Sequence, residues 1–243
     1  LVAPPAGPAP SGDALEPSLV VYHDKAALIT EQYRSIRTRL LSQNPTAEHR
    51  VLAVTSSVPS EGKSVTMLNL GFALAELSHL KVLVVDGDFR RHSLAAMMRA
   101  SDSPGLAELL RGQAQLHEAL QPTPANNLHL VASGCTGQSN AAELLSCQQA
   151  AAVFQQFRQN YHYVLVDTPP AGTVTDVGII GQMCDGVLLV IRMRSTPEPM
   201  VNRTVRLLQA NNVNLIGCIL VGYRRRGSRY PYDYGYDGGY DSY

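Results

Sequence analysis

The sequence predicts an α/β fold in which a mainly parallel central sheet is flanked by helices on both faces. Six short apolar runs recur along the 243-residue chain, and stretches with a helical spacing of apolar residues separate them. Near-continuous apolar strands that alternate with helices are typical of parallel sheets buried on both faces. The formal net charge is zero, so no overall charge favours nucleic acid as a partner.

The elements follow one another in a regular order. A helical stripe runs from Lys25 to about Leu41, and strands then alternate with helices. Strands are expected at residues 51–54, 81–85, 128–131, 163–166, 187–191 and 215–221. Helices are expected at residues 67–77, 141–157 and 198–209. Because ligands of such sheets bind at the carboxyl ends of the strands, functional residues are expected there.

Changes in composition divide the chain into three parts. Residues 1–24 begin with a Pro- and Ala-rich stretch and are predicted to be a linker, followed by one domain at residues 25–222. Residues 223–243 hold seven of the eleven tyrosines among Gly, Asp and Arg, without an aliphatic residue, and are predicted to be a flexible tail. Because the chain begins with Leu1, we expect it to be a piece of a longer protein or a processed form.

The strongest chemical signal follows the first predicted strand. Residues 57–64 read Ser-Val-Pro-Ser-Glu-Gly-Lys-Ser and precede a helix, which is the context of a phosphate-binding P-loop, with Ser57 in place of the usual first glycine. Lys63 is expected to reach the β- and γ-phosphates of a nucleoside triphosphate, and the Ser64 hydroxyl is expected to bind Mg²⁺. The candidate nucleotide-binding residues are Ser57, Pro59, Ser60, Glu61, Gly62, Lys63, Ser64 and Val65.

Two further predicted strands end in carboxylates. Asp86 and Asp88 follow residues 81–85, and Asp167 follows residues 163–166. One of the first two could hold Mg²⁺ through water while the other accepts a proton from an attacking hydroxyl. Asp167 fits the Walker B carboxylate that holds the Mg²⁺ of a nucleotide. The alternative is that these residues only form polar turns after strands.

Together these segments resemble the Walker A, Walker A′ and Walker B motifs of the bacterial protein-tyrosine kinases of capsule and exopolysaccharide synthesis. The matching segments are residues 57–64, 86–90 and 164–170. The chain departs from the family pattern at His92, where a proline usually stands, and it lacks an Asn near the end of the last strand.

The resemblance implies ATP and Mg²⁺ as cofactors and a non-specific protein-tyrosine kinase activity. Asp86 would be the base towards a tyrosine hydroxyl. The implied catalytic residues are Lys63, Asp86, Asp88 and Asp167, and the implied Mg²⁺ ligands are Ser64, Asp88 and Asp167.

The resemblance extends to both ends of the domain. Glu31, Arg34 and Arg37 match an E-x-x-R-x-x-R segment that implies contacts between subunits of a ring-shaped homo-oligomer, although weak ion pairs on an exposed helix face are the alternative. The tail matches a cluster of autophosphorylated tyrosines. The implied phosphate acceptors are Tyr223, Tyr230, Tyr232, Tyr234, Tyr236, Tyr240 and Tyr243.

Two functions remain in competition. The first is an ATP- and Mg²⁺-dependent autokinase that phosphorylates tails in trans and regulates exopolysaccharide or capsule synthesis and export. It would lie in the cytoplasm at the inner face of the cell membrane, held by an adaptor or an upstream transmembrane segment, with a phosphotyrosine phosphatase as a further partner. The second is a ParA- or MinD-like switch ATPase that controls assembly with a membrane partner. Val58 stands where those ATPases carry an extra lysine, which favours the kinase.

Overall fold

A seven-stranded sheet forms the centre of the structure, a computed structural model that describes residues 15–136, 141–172 and 176–222. The strand order is β3-β4-β2-β5-β1-β6-β7, and every neighbouring pair is parallel except β3–β4. The strands are β1 (Arg50–Ser56), β2 (Val82–Asp86), β3 (Gln121–Pro122), β4 (Leu128–Val131), β5 (Tyr163–Asp167), β6 (Gly186–Arg192) and β7 (Leu215–Val221).

Helices cover both faces of this sheet. The helices are α1 (Val20–His23), α2 (Leu28–Ser42), α3 (Lys63–Ala75), α4 (Ser93–Met98), α5 (Leu106–Leu110), α6 (Leu116–Ala119), α7 (Ala141–Leu145), α8 (Gln148–Asn160), α9 (Asp176–Met183) and α10 (Glu198–Ala210). Helices α1 to α4 pack on one face and α5 to α10 on the other. Alternate residues of each strand serve the two cores, as β1 shows: Val51 and Ala53 face one, Leu52 and Val54 the other.

The predicted α/β class and all six predicted strands are confirmed. The prediction of a single helix at residues 141–157 is wrong, because the region forms two helices, α7 and α8. Cys147, immediately before α8, has an extended backbone that separates them. Strand β3 and the short helices α1, α4, α5, α6 and α9 were not predicted, since elements this short span too little sequence to show a period. No helix in the described ranges is long and apolar enough to cross a bilayer.

The last part of the predicted 1–24 linker is an ordered part of the domain. Leu15, Leu19 and Val21 are buried in the core on the α3 side. The Asn69 side chain of α3 holds this segment, since its oxygen accepts the N–H of Val21 at 3.0 Å and its amide donates to the Ser18 carbonyl at 3.0 Å. Three apolar side chains therefore extend the domain to residue 15. Residues 1–14 and the tail at 223–243 lie outside the described residues, so both remain predictions.

The arginines of the E-x-x-R-x-x-R segment bind within the chain. Both Arg34 and Arg37 of α2 reach Glu76 beyond the end of α3, with N–O distances of 2.5 and 2.8 Å, and Arg34 also pairs with Glu31. The hydrogen bond from Arg34 contributes most to lowering the pKa of Glu76, and the hydrogen bond from Arg37 contributes less. The two arginines thus fix α2 against α3. Glu31 is left 61% exposed at the surface.

Candidate active site

The P-loop connects β1 to α3 in a tight turn. Gly62 immediately before α3 has a φ of +89°, the left-handed region that glycine occupies without strain. Gly172 passes so close behind the loop that a Cβ there would lie 2.4 Å from the Ser57 carbonyl oxygen. The Ser57 hydroxyl is buried and has no hydrogen-bond partner among the described residues. It is a polar atom that a bound phosphate could satisfy.

Lys63 lies at the centre of the site, where the three predicted motifs meet. Its Nζ lies 3.0 Å from Asp88 Oδ2 and 3.1 Å from both carboxylate oxygens of Asp167. The Ser64 hydroxyl donates to Asp167 Oδ2 at 2.5 Å. Burial opposes the charge on Lys63, but Asp167 and Asp88 outweigh it and raise its pKa. The structure thus brings together four residues that the sequence had placed at three separate strand ends.

The oxygen donors at this position fit Mg²⁺ shared with nucleotide phosphates. Mg²⁺ prefers hard oxygen ligands and usually keeps one or two carboxylates together with phosphate oxygens and water. Ser64, Asp88 and Asp167 supply such oxygens, with the Lys63 ammonium as the cation between the two carboxylates. Within the described ranges no group of three or more His, Cys, Asp or Glu could hold a metal unaided. The phosphates would therefore have to complete the shell.

Asp86 is held in a different way from its neighbours. It is buried, and its two oxygens accept the backbone N–H groups of Asp88 at 3.1 Å and Leu94 at 3.0 Å. Burial, and to a smaller extent the negative charge of Asp167, raise the pKa of Asp86 to about 7. The two backbone N–H groups lower this pKa but do not offset the rise. A carboxyl group that titrates near neutrality suits general-base catalysis.

The Glu61 side chain points into the protein. Its carboxylate accepts the N–H of Val58 at 2.8 Å, the N–H of Arg192 at 3.2 Å and the hydroxyl of Thr196. Glu61 was predicted as a nucleotide-binding residue, but its side chain ties the P-loop to the loop after β6 and only its backbone could face a phosphate. Arg192 also donates to the Ser60 carbonyl at 3.3 Å. Sequence reasoning missed Arg192 and Thr196, because more than 130 positions separate them from the P-loop and no motif marks them.

His92 alters the loop that follows Asp86 and Asp88. Its φ is +45°, which a proline ring fixed near −65° cannot adopt. The His92 Nδ1 lies 2.5 Å from the Ser133 hydroxyl and 3.1 Å from Asp102 Oδ2, so two neighbouring loops hold the ring. The departure from the family pattern at this position therefore changes the local backbone.

Comparisons with known proteins agree with this arrangement. A sequence model of the AAA domain matches residues 49–210. The tyrosine-protein kinase YwqD of Bacillus subtilis is 29% identical over 96% of this chain and 96% of its own length. The tyrosine-protein kinase CpsD of Streptococcus pneumoniae is 31% identical over 70% of this chain and 75% of its own length. The tyrosine-protein kinase wzc of Salmonella typhimurium is 30% identical over 86% of this chain, which spans only 29% of that protein.

Solved structures show the same fold. The kinase domain of Escherichia coli tyrosine kinase ETK superimposes with a TM-score of 0.82 at 30% identity, covering 92% of this chain and 86% of that one. MinD from Pyrococcus horikoshii, in complex with Mg-ADP, superimposes with a TM-score of 0.60 at 22% identity, covering 71% and 70%. The second likeness shows the fold alone.

Proposed function

This chain belongs to the bacterial protein-tyrosine kinases, and we propose that it transfers phosphate from Mg·ATP to the tyrosines of its own C-terminal tail in trans. The observation that carries the proposal is the meeting of Lys63 with Asp88 and Asp167 beside the P-loop. The support for the switch-ATPase alternative is a likeness in fold, such as that to MinD.

Each residue of the site has a distinct part in this proposal. The Lys63 ammonium and the loop N–H groups would hold the phosphates, and Ser64, Asp88 and Asp167 would hold Mg²⁺. Bound Mg²⁺ neutralises phosphate charge and orients the transferred group. Asp86 would accept the proton of the tyrosine hydroxyl. An ordinary tyrosine ionises near pH 10, so a base with a pKa near 7 would assist its attack.

We expect the chain incubated with Mg·ATP to gain up to seven phosphates, all within residues 223–243, when intact mass and peptide mapping are used to follow it. To test transfer in trans, a Lys63→Met chain serves as the acceptor and a chain with the seven tail tyrosines changed to Phe serves as the donor. Phosphate should appear on the Lys63→Met chain. Phosphate released into solution without any on the acceptor tails would rule out the kinase in favour of the switch ATPase.

We also propose self-association through α2, since Glu31 is exposed beside an arginine that Glu76 already holds. Light scattering should give a mass that is a multiple of 26.3 kDa, and Glu31→Arg should lower it. The fold should survive the change, because an exposed pair such as Glu31–Arg34 contributes about 0–1 kcal/mol. Glu143→Arg, at an exposed position on α7, is the matched control. An unchanged mass for Glu31→Arg would exclude this residue from the interface.

The setting of the enzyme is a further proposal, supported by the resemblance of its motifs and by its relatives. The relatives wzc and CpsD are named tyrosine-protein kinases, and this chain spans 29% of the length of wzc. We propose that the domain acts at the inner face of the cell membrane, through an adaptor or an upstream segment, in the control of exopolysaccharide or capsule synthesis. Mass spectrometry of proteins crosslinked to the domain in cells tests this setting, and the absence of any membrane protein among them would contradict it.

A further inference from the structure

A chain of hydroxyl groups leads from the candidate magnesium site to the start of α4. The hydroxyl of Ser93, the first residue of α4, lies 3.2 Å from the Ser64 hydroxyl, which donates to Asp167 Oδ2 at 2.5 Å. A hydroxyl group has one proton, and a carboxylate only accepts. Because Ser64 uses its proton on Asp167, Ser93 must donate to Ser64. Ser93 lies outside the three motifs, yet it directly contacts a predicted Mg²⁺ ligand.

The Ser64 hydroxyl uses all of its hydrogen-bonding capacity in this structure. Besides its proton it has two lone pairs, of which one accepts from Ser93 and the other from the Lys63 ammonium at 3.3 Å. In the proposed function the Lys63 ammonium binds the nucleotide phosphates, which leaves the second lone pair for Mg²⁺. Ser93 and Asp167 remain as the two groups that fix how the hydroxyl is turned.

The start of α4 is held from outside the site by three side chains that we call the His92 clamp. The Nδ1 of His92 lies 2.5 Å from the Ser133 hydroxyl and 3.1 Å from Asp102 Oδ2. The Ser133 hydroxyl also donates to Asp102 Oδ1 at 3.2 Å. In a catalytic triad the serine and the aspartate lie on different ring nitrogens, whereas here both lie on Nδ1. The His92 clamp is therefore a structural contact and not a second catalytic centre.

The same segment is also held from inside the site, through its backbone. The N–H of Leu94 donates to Asp86 Oδ2 at 3.0 Å, and the N–H of His92 donates to the Asp88 carbonyl at 3.2 Å. Residues 92–94 are thus fixed on two sides, which leaves the Ser93 side chain little freedom to turn away from Ser64. A group that is already ordered loses less conformational entropy when its ligand binds.

We propose that Ser93 is a positioning residue for Mg²⁺, which holds the Ser64 hydroxyl in the orientation that binds the metal, and that the His92 clamp holds Ser93. This deepens the proposed function and rests on it for the nucleotide and the Mg²⁺. Groups that orient a metal ligand contribute about 10–100-fold to metal affinity. Because Ser93 acts through Ser64, its loss should weaken the binding of Mg²⁺ and leave the metal-free binding of nucleotide unchanged.

Fluorescence anisotropy of a labelled, non-hydrolysable ATP analogue, titrated with Mg²⁺, tests this role. For Ser93→Ala we expect the Mg²⁺ concentration at half-maximal binding to rise about tenfold, while binding of the analogue in EDTA stays the same. Ser93→Thr keeps the hydroxyl and should restore the wild-type value. Ser78→Ala, at an exposed serine beyond the other end of α3, is the matched control and should titrate as the wild type does.

His92→Ala should shift the same titration in the same direction by a smaller factor. His92→Asn should shift it less, because asparagine tolerates a positive φ and its amide can replace Nδ1 in the clamp. An unchanged titration in His92→Ala would overturn the part assigned to the clamp.

Two results for Ser93→Ala would overturn the positioning role. One is an unchanged Mg²⁺ titration, and the other is an equal loss of analogue affinity with and without Mg²⁺. A wild-type chain that binds the analogue with Mg²⁺ but never phosphorylates a tail would overturn the proposed function alone. A wild-type chain that does not bind the analogue would overturn both.

Discussion

Lys63→Met is expected to lower the rate of phosphate transfer about 10³-fold. Methionine keeps an unbranched apolar stem but removes the ammonium that lies 3.0 Å from Asp88 and 3.1 Å from Asp167. Without it, the phosphates lose a positive charge in a buried site, where electrostatic stabilisation of transfer is strongest. The initial rate of tail phosphorylation, followed by intact mass, measures the loss. Lys81→Met, at an exposed lysine just before β2, is the control and should retain the wild-type rate.

The same substitution should destabilise the fold in a pH-dependent way. Removing one partner of a buried ion pair costs roughly 3–5 kcal/mol, because the other charge is left uncompensated. Burial raises the pKa of Asp167, and the positive charge of Lys63 opposes that rise. Loss of this charge in Lys63→Met should therefore raise the pKa of Asp167 further. When a carboxyl group has a higher pKa in the folded than in the unfolded protein, the free energy of unfolding falls as pH rises from the unfolded-state pKa to the folded-state pKa.

Denaturant unfolding at pH 5 and pH 8 measures this effect. The loss in the free energy of unfolding for Lys63→Met should be smaller at pH 5 than at pH 8. If the variant retained more than a tenth of the wild-type transfer rate, the ammonium would not lie at the phosphates. An equal loss of stability at both pH values would show that the protonation of the neighbouring carboxylates does not depend on Lys63.

Asp86→Asn is expected to lower the transfer rate about 10²–10⁴-fold, the range that removing a general base produces. Asparagine has nearly the same shape but cannot accept the tyrosine proton. Asp86 makes no hydrogen bond to Lys63 in the structure, so ATP affinity should change little. Asp24→Asn, at an exposed position before α2, is the matched control.

The pH dependence of the wild-type enzyme tests the same role. Because burial and Asp167 raise the pKa of Asp86 to about 7, its carboxyl is protonated and inactive as a base at lower pH. The value of kcat/KM towards a tail peptide, which reports groups of the free enzyme, should therefore rise with pH through a midpoint near 7. A profile that is flat between pH 6 and 8, together with full activity in Asp86→Asn, would remove Asp86 from the mechanism.

Much of the fold could be predicted because the strands are long and strongly patterned. Central strands such as β1 and β5 are buried on both faces, so they appear as continuous apolar runs with strand-breaking residues after them. The short helices α4, α5 and α6 contain four to six residues, less than two helical turns, and their sequences carry no readable period. Residues 15–24 resembled a linker because the apolar residues that anchor them are few and have their partners on α3, some 50 positions away.

The chemical groups that this protein brings to its sheet edge can be predicted from local sequence patterns. Lys63, Asp88 and Asp167 each lie at or just beyond the carboxyl end of a parallel strand, and parallel strands place those ends along one edge. The interactions of each group there depend on how the whole chain folds. Glu61 turns inward to Arg192 and Thr196, Arg34 and Arg37 converge on Glu76, and burial next to Asp167 raises the pKa of Asp86. The physical reason is that hydrogen bonding and desolvation depend on neighbours up to 135 positions apart, which no local pattern records.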